Sequence, residues 1–543
     1  MTTPSHRLFC AALAFIASTC GLLAEYDRVI HINTSENADL KRIFEAALDR
    51  TTIYLHGGSS PYDRRRDIVL KEKSHLEIIG VPADGDTRTS LRGMGAKYIL
   101  RLEDCDHVTI RNVAFVEGKR PARNLWWFNV QDITLDNVAQ LGRFGISGIL
   151  FSPRVDKSSR PWKYEGSVEN ILIDNWYIED MGTPAAADNP AEDLALKFIY
   201  NRANQRKWRL WNKRKHPKDR FDFAKTVSKL NAAGLETSAG QPWSAAAVRK
   251  LIGGMKTQLW GIHFYGFYAG QVRNVTIRNG AYRSPNRVIG MNVINVDLVH
   301  DPDASSYFDP DSDLYSGTTD REKRYAGDNI RIYNNEFRDF GHSGIAVARY
   351  RDVEIYGNTF YDQVGHPFRN SCQAIHIEVS RDWRIHHNRA VNCLKGIDCL
   401  VAWYGTVDHN EVLESTLMPA FRIMGCHDLD LRENTARGGP FGFDVQKHFR
   451  KDRPRSHSVR LHRNRIVDTR VAIRAKGMDN LHITNNLIRT PGQEALLLLN
   501  VAESQITGNT LLTKTERSLD ALVVRRDGSR LIRVKNNRVN RVD

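Results

Sequence analysis

One recurring phrase limits what this chain can fold into. In its C-terminal half, blocks of sixteen residues end on asparagine: "SGIAVARYRDVEIYGN", "QAIHIEVSRDWRIHHN", "KGIDCLVAWYGTVDHN", "PAFRIMGCHDLDLREN", "VAIRAKGMDNLHITNN" and "EALLLLNVAESQITGN". The closing residues Asn358, Asn388, Asn410, Asn434, Asn464, Asn486, Asn509 and Asn537 recur every 22 to 30 residues. An internal period of this size is the signature of a solenoid. Each block reads as a strand, a short turn and a second strand, often followed by a third apolar pair as in "TFY" or "LIR". Three short strands per turn, with Asn where the backbone needs a left-handed residue, suit a coil stacked in register on its neighbours. The same phrase occurs earlier in "HVTIRN", "DITLDN", "NILIDN" and "NVTIRN", so the repeat covers most of residues 97–540.

Aligning the blocks sorts the side chains into columns. Ile345, Ile375, Ile397, Phe421, Phe443, Ile473 and Leu496 fall in one apolar column, and Val347, Ile377, Cys399, Ile423, Val445, Ala475 and Leu498 in another. Both should face the core, because alternate strand residues share a face. The position between them then points outward, and it carries Ala346, His376, Asp398, Arg422, Asp444, Arg474 and Leu497. A looser alignment of "WGIHFYG" and "IGMNVIN" adds His263 and Asn292. Two residues further along each strand lie Glu378, Met424, Gln446 and Lys476. Strands stacked about 4.8 Å apart would merge these groups into one polar stripe. Solvated outward charges and simple cross-strand pairing give the same pattern one residue at a time. The clustering on five consecutive coils, with apolar residues at Leu497 and Val523 beyond, points to a functional stripe.

The "GIxI…VxIxxN" phrase, the asparagine ladder and the opening "ADLKRIFEAALDRTTIYLHGG" resemble the right-handed parallel β-helix proteins of the pectate-lyase-like superfamily. The resemblance implies an all-β solenoid with an N-terminal cap helix and a substrate groove on the sheet built from the "GIxI" strands. It also implies activity on a polysaccharide. In the family, lyases commonly use Lys or Arg as the base, often with calcium. The segment "FAKTVSKLNAAGLETSAGQPWSAAAVRKLI" is helical in pattern and resembles the helix-turn-helix module of serine recombinases over some thirty residues. The expected organisation is a leader at 1–24, the cap and first coils at 25–182, a basic helical insert at 183–258, and the remaining coils at 259–543.

Two reactions fit the stripe. Glycoside hydrolysis needs one carboxylic acid and one carboxylate; Asp398 and Asp444, two coils and so about 9–10 Å apart, supply such a pair, with Glu378 as a third carboxylate and Arg422 between them. His376 completes the catalytic candidates. The set is similar in composition to the polygalacturonase-type hydrolases, but the Asn-Thr-Asp, Asp-Asp and Gly-His-Gly signatures of that family are absent. β-Elimination is the alternative. It needs a base near the proton α to a uronate carboxylate and a cation to neutralise that carboxylate; Arg422, Arg474, Lys447, Lys476 or His376 are candidates. His263, Asn292, Arg474, Lys447 and Lys476 are the expected substrate-binding residues. An adhesive β-helix without an active site is a further alternative.

Charge and compartment narrow the partner. The formal net charge is +15, and residues 195–256 hold 15 Lys and Arg against three acids, so most of the surplus is in the insert. With the basic loop "KHFRKDRPRSH" at 447–457, this favours an anionic polysaccharide. The leading "LFCAALAFIASTCGLLA" after Arg7 reads as a secretory leader cleaved near Ala24, giving a secreted or periplasmic protein without a membrane span. Secretion argues against nucleic acid as the partner, and the expected state is a monomer. No cofactor and no metal site are expected. The loop with Asp309, Asp311, Asp313 and Asp320 has only partial calcium-binding spacing, because the Gly after the third acid is missing. Cys372 and Cys393 fall at nearly equivalent places on adjacent coils, so a bond between them is geometrically open; Cys399 reads as a core thiol.

Overall fold

The structure is a computed structural model that describes residues 28–541 except 34–39, 59–61, 65–66, 84, 95–97, 121–122, 143–146, 157–162, 180–189, 201–207, 209, 211–221, 254–259, 267–270, 285–291, 299–324, 364–371, 448–455, 491–494, 514–522 and 527. The expected leader, the acidic loop with Asp309 and most of the basic loop at 447–457 therefore lie outside the described residues.

The chain winds into a parallel β-helix. Each coil contributes one strand to each of three stacks, and nearly every strand pairs in parallel with the equivalent strand one coil before and one coil after. Sheet one includes Trp260–Gly266, Asn292–Leu298, Ser343–Ala348, Gln373–Glu378, Ile397–Leu400, Phe421–Met424 and Phe441–Gln446. Sheet two includes Ser74–Val81, Asp106–Arg111, Gln131–Asp136, Tyr350–Tyr356, Arg381–His386 and Trp403–Asp408. Sheet three has fifteen strands, most of them three residues long, such as Thr359–Tyr361 and Leu487–Arg489. Val471–Thr484 and Leu496–Thr507 run through the corner and belong to both sheets one and two. The two apolar columns stack in the expected register and are buried in a single continuous core. At the N-terminal end the helix Leu40–Ala46 buries Leu40 and Phe44 over the first coils, as a cap should.

The asparagine ladder works differently from its sequence reading. The left-handed residue is the one before each closing Asn: Gly357, His387, His409, Glu433, Arg463, Asn485, Gly508 and Asn536 all have φ between 53° and 70°. The closing asparagines are instead rungs, buried from Asn358 to Asn509 and half-buried at Asn537. Asn388 donates from its backbone N and its Nδ2 to Oδ1 of Asn410, both at 3.0 Å, and Asn410 repeats the pattern onto Asn434. In the earlier coils the phrase does end on the left-handed residue itself, at Asn112, Asn137, Asn175 and Asn279. The ladder begins at Asn335, whose Oδ1 accepts from Nε1 of Trp176 at 3.0 Å. The indole leaves no room for a side chain beside it: a Cβ on Gly280 would lie 2.1 Å from the ring.

The insert is helical, with Pro190–Tyr200, Phe223–Ala232 and Ala245–Gly253 around a small core of its own that includes Ala195, Ile199, Leu230, Trp243 and Val248. Asn231 ties the turn between the last two helices by exchanging hydrogen bonds with the backbone of Trp243 at 2.8 and 3.0 Å. The segment leaves after the sheet-three strand Tyr177–Glu179 and returns into the sheet-one strand Trp260–Gly266. Cys105, Cys372, Cys393, Cys399 and Cys426 are buried free thiols, so Cys372 and Cys393 are not bonded; Cys399 lies in the core as expected.

Candidate functional site

Cross-strand register places His376, Asp398, Arg422, Asp444 and Arg474 side by side in one unbroken row on the outer face of sheet one. Toward the N-terminus the row continues through Ala346, Asn295 and His263. Asn295 thus holds the place assigned to Asn292, which sits three residues earlier and pairs with Ser343. Asn292 Nδ2 donates to Asn295 Oδ1 at 2.7 Å, so it orients the row instead of joining it. The misalignment came from Ile289, Met291 and Val293, whose apolar alternation imitates the block three residues too early; the strand itself is Asn292–Leu298, with Ile294 opposite Ile345. Beyond Arg474 the row turns apolar at Leu497 and then at Val524, not at Val523. The parallel position-six row runs Tyr265, Asp297, Ala348, Glu378, Leu400, Met424, Gln446 and Lys476, with Asp297 adjacent to Ala348 by extension of the pairing.

Outward here does not mean solvated. Asp398 is fully buried, Asp444 and His263 nearly so, and the side chains of His376 and Arg422 are about one-seventh exposed. Such burial requires partners, and the row supplies them. Arg422 grips Asp398 with two hydrogen bonds of 2.6 Å, and Arg474 grips Asp444 at 2.7 and 2.6 Å while lying over the ring of Phe441. Lys395, wholly buried in the corner before the strand, donates to Oδ2 of Asp398 at 2.9 Å. Nδ1 of His376 approaches the same oxygen at 3.4 Å, and Nε2 faces Glu378 Oε2 at 3.2 Å.

The protonation states follow from this packing. Burial pushes the Asp398 carboxyl up, but Arg422, Lys395 and His376 outweigh it and hold the group well below the usual carboxylate range. Glu378 is also lowered, with burial overcome by His376 and by the charge of Arg349. Burial works against the imidazolium of His376, yet Asp398 and Glu378 raise it to about 9. Lys395 is lowered to about 8, burial outweighing the pull of Asp398. His263 is lowered to about 3 by burial.

The row therefore has two halves. From Asp398 to Arg474 it is a ladder of two-point ion pairs, the structural pairing that the alternating charges also allowed. At its N-terminal edge, the His376–Glu378 pair borders a coil whose two outward residues are Ala346 and Ala348. On the other side of that coil stand Asn295, Asp297, His263 and Tyr265, whose phenol is pushed up to about 12 by burial and by Asp297. Two alanines between taller polar groups make a low point in the row, a saddle in side-chain height whose floor at Ala346 is 7% exposed. Lys476 and Lys447 are exposed at the far end of the row, Lys447 with its stem over Gly477; they do not meet the His376–Glu378 pair through any register partner.

Five participants escaped sequence reasoning. Lys395 lies in a corner, where strand parity does not extend. Asn295 and Asp297 were lost with the shifted alignment, whereas Tyr265 lies two residues beyond the correctly aligned His263. Arg349 follows Ala348 in a left-handed conformation, φ 66°, which no alternation rule anticipates.

Residues 256–436 match the family described as "Right handed beta helix region", in accord with the fold, and residues 362–541 match the family described as "Periplasmic copper-binding protein (NosD)". No curated protein sequence matches the chain. Among solved structures, similar ones include a mannuronic acid specific polysaccharide family 6 lyase from human gut microbiota (9% identity, 92% of this chain and 89% of that one, TM-score 0.42). A lacto-N-biosidase from Eubacterium ramulus (10%, 95% and 68%, TM-score 0.39) and the periplasmic alginate epimerase AlgG (11%, 94% and 84%, TM-score 0.37) are also similar. At identities near 10% these likenesses say nothing of the reaction. Neither family match is to a recombinase module.

Proposed function

We propose that this protein cleaves an anionic, uronate-containing polysaccharide by β-elimination at the saddle over Ala346 and Ala348. The observation that carries this reading is the His376–Glu378 pair, a cationic acid hydrogen-bonded to an ionised carboxylate beside the coil of Ala346 and Ala348. Glu378 accepts the proton from the carbon α to the uronate carboxylate. The glycosidic bond at the neighbouring carbon breaks as the double bond forms, and His376 protonates the departing oxygen. The proton then passes from Glu378 to His376 across their 3.2 Å contact, which restores both groups. Arg349, whose charge already acts on Glu378, neutralises the substrate carboxylate.

Hydrolysis by Asp398 and Asp444 is less well supported. Inverting or retaining, it needs a protonated carboxyl, and Asp398 is held ionised by a buried Arg and a buried Lys while Asp444 is gripped at two points by Arg474. These residues become positioning groups: Asp398 orients and charges His376. We further propose a secreted or periplasmic, monomeric protein that meets its polymer outside the cytoplasm, as the leader sequence implies, with nucleic acid not its partner and no cofactor in this reaction.

A panel of acidic and neutral polysaccharides, assayed in parallel for reducing ends and for ultraviolet absorbance, tests the reading. Absorbing, unsaturated ends on a uronate polymer are expected. Reducing ends without absorbance would instead establish hydrolysis, and no product from any polymer would favour an adhesive role.

A further inference from the structure

A second cluster of chemistry-bearing residues lies on sheet two near the N-terminal end of the solenoid. Sheet two opens each coil with a left-handed residue, and across most coils this column holds residues that adopt that conformation at low cost: Asp132, Asn170, Asn274, Asn329, Asp352 and Asp382. The two coils before Asp132 carry His75 and His107 instead, with φ of 54° and 49°. Their imidazoles lie face to face, ring centres 4.4 Å apart and planes 4° from parallel.

The neighbouring column brings oxygen donors to the same point. Ser74 Oγ lies 2.7 Å from His75 Nδ1 and also hydrogen-bonds to Asp106, and Oδ1 of Asp106 lies 2.8 Å from His107 Nδ1. One coil on, Oδ2 of Asp132 is 3.7 Å from His107 Nε2. One donor atom each from His75, Asp106 and His107 can be chosen so that all lie within 4.8 Å of one another. Tetrahedral zinc with bonds of about 2.0–2.1 Å needs donors roughly 3.4 Å apart, a difference that rotation of half-exposed side chains closes; His107 and Asp106 are 47% and 46% exposed. Two imidazoles with one or two carboxylates form a nitrogen–oxygen set suited to zinc and similar late first-row divalent ions, and not to calcium or magnesium, which take oxygen alone.

We propose that His75, Asp106 and His107, with Asp132 as a fourth donor, bind one zinc-class divalent cation that staples the strands Ser74–Val81, Asp106–Arg111 and Gln131–Asp136. A solenoid frays from its ends, and this ion ties three successive coils next to the N-terminal cap. The site is on a different sheet from the His376–Glu378 pair, so its role is structural and independent of the reaction proposed above.

The test is titration of untagged, metal-stripped full-length protein with zinc chloride and, for a spectroscopic signature, cobalt chloride. One ion per chain, a visible cobalt absorption band and a higher thermal midpoint on zinc addition are expected. His75→Asn and His107→Asn install the residue that Asn170, Asn274 and Asn329 already place in this column, so the fold tolerates them. Each should weaken zinc binding at least tenfold while leaving the midpoint of the metal-free protein unchanged. Zinc uptake that is equal in wild type and the double variant, or no binding up to millimolar zinc, would overturn the proposal.

Discussion

At the scale of single residues, His376 is where burial and charge compete most directly. Its imidazolium is buried, yet the carboxylates on either side raise its pKa from 6.5 to about 9. A base whose pKa is raised on folding stabilises the native state fully below its unfolded pKa and loses that contribution as pH rises through the folded value. Wild type should therefore exceed His376→Gln in stability by about 3 kcal/mol near pH 6, and the gap should close between pH 6.5 and 9; thermal unfolding across that range measures it. Activity carries the same signature. If His376 is the acid, turnover falls as pH rises through about 9, and His376→Gln removes that limb together with most of the rate. A rate that climbs through pH 9 would make the neutral imidazole a base and reverse the roles of His376 and Glu378. The two members of this pair were legible from alternation. Their protonation was not, because it is set by Asp398, 22 residues after His376, and by Arg349, 27 residues before it, each one coil away in space.

At the scale of elements, the asparagine ladder is a hydrogen-bonded unit that crosses the coils. Removing Asn410 leaves the backbone N of Asn388 without its acceptor inside the core and takes one of three acceptors from its Nδ2, which keeps the carbonyls of Ile355 and His386. Asn410→Ala should lower stability by about 2–5 kcal/mol. Asn537→Ala, at the end of the ladder where water can replace the lost oxygen, should cost about 1 kcal/mol. Guanidinium unfolding of the two variants makes the comparison, and equal losses would mean that the rungs act independently of burial. The position of each Asn was plain from the period, whereas its function as a rung was not. A side chain that fits a left-handed corner and one that bonds to the next coil look alike in sequence, and only the φ of the preceding residue separates them.

At the scale of the whole molecule, the segment between Glu179 and Trp260 interrupts the run of coils and carries a surplus of 12 positive charges between residues 195 and 256. If that charge gathers an anionic polymer, replacing 183–258 by a short Gly/Ser linker should leave the thermal midpoint of the coils within a few degrees. Affinity for a polyuronate should fall about tenfold, and its salt dependence should become shallower, as read by co-sedimentation at two ionic strengths; unchanged affinity would reduce the insert to a solvated decoration. The sequence by itself determined the stack: a period of 22 to 30 residues, two apolar columns and a cap helix follow from local alternation, which has the same meaning in every coil. It also set the row from His376 to Arg474, because register in a parallel stack is fixed by the buried columns. Only the tertiary structure decided which part of that row is free to act. Ion pairing from Asp398 to Arg474, the saddle of Ala346 and Ala348, and the meeting of His75 with His107 are contacts between coils. Alternation along a strand says which way a side chain points, and says nothing of what the next coil has placed beside it.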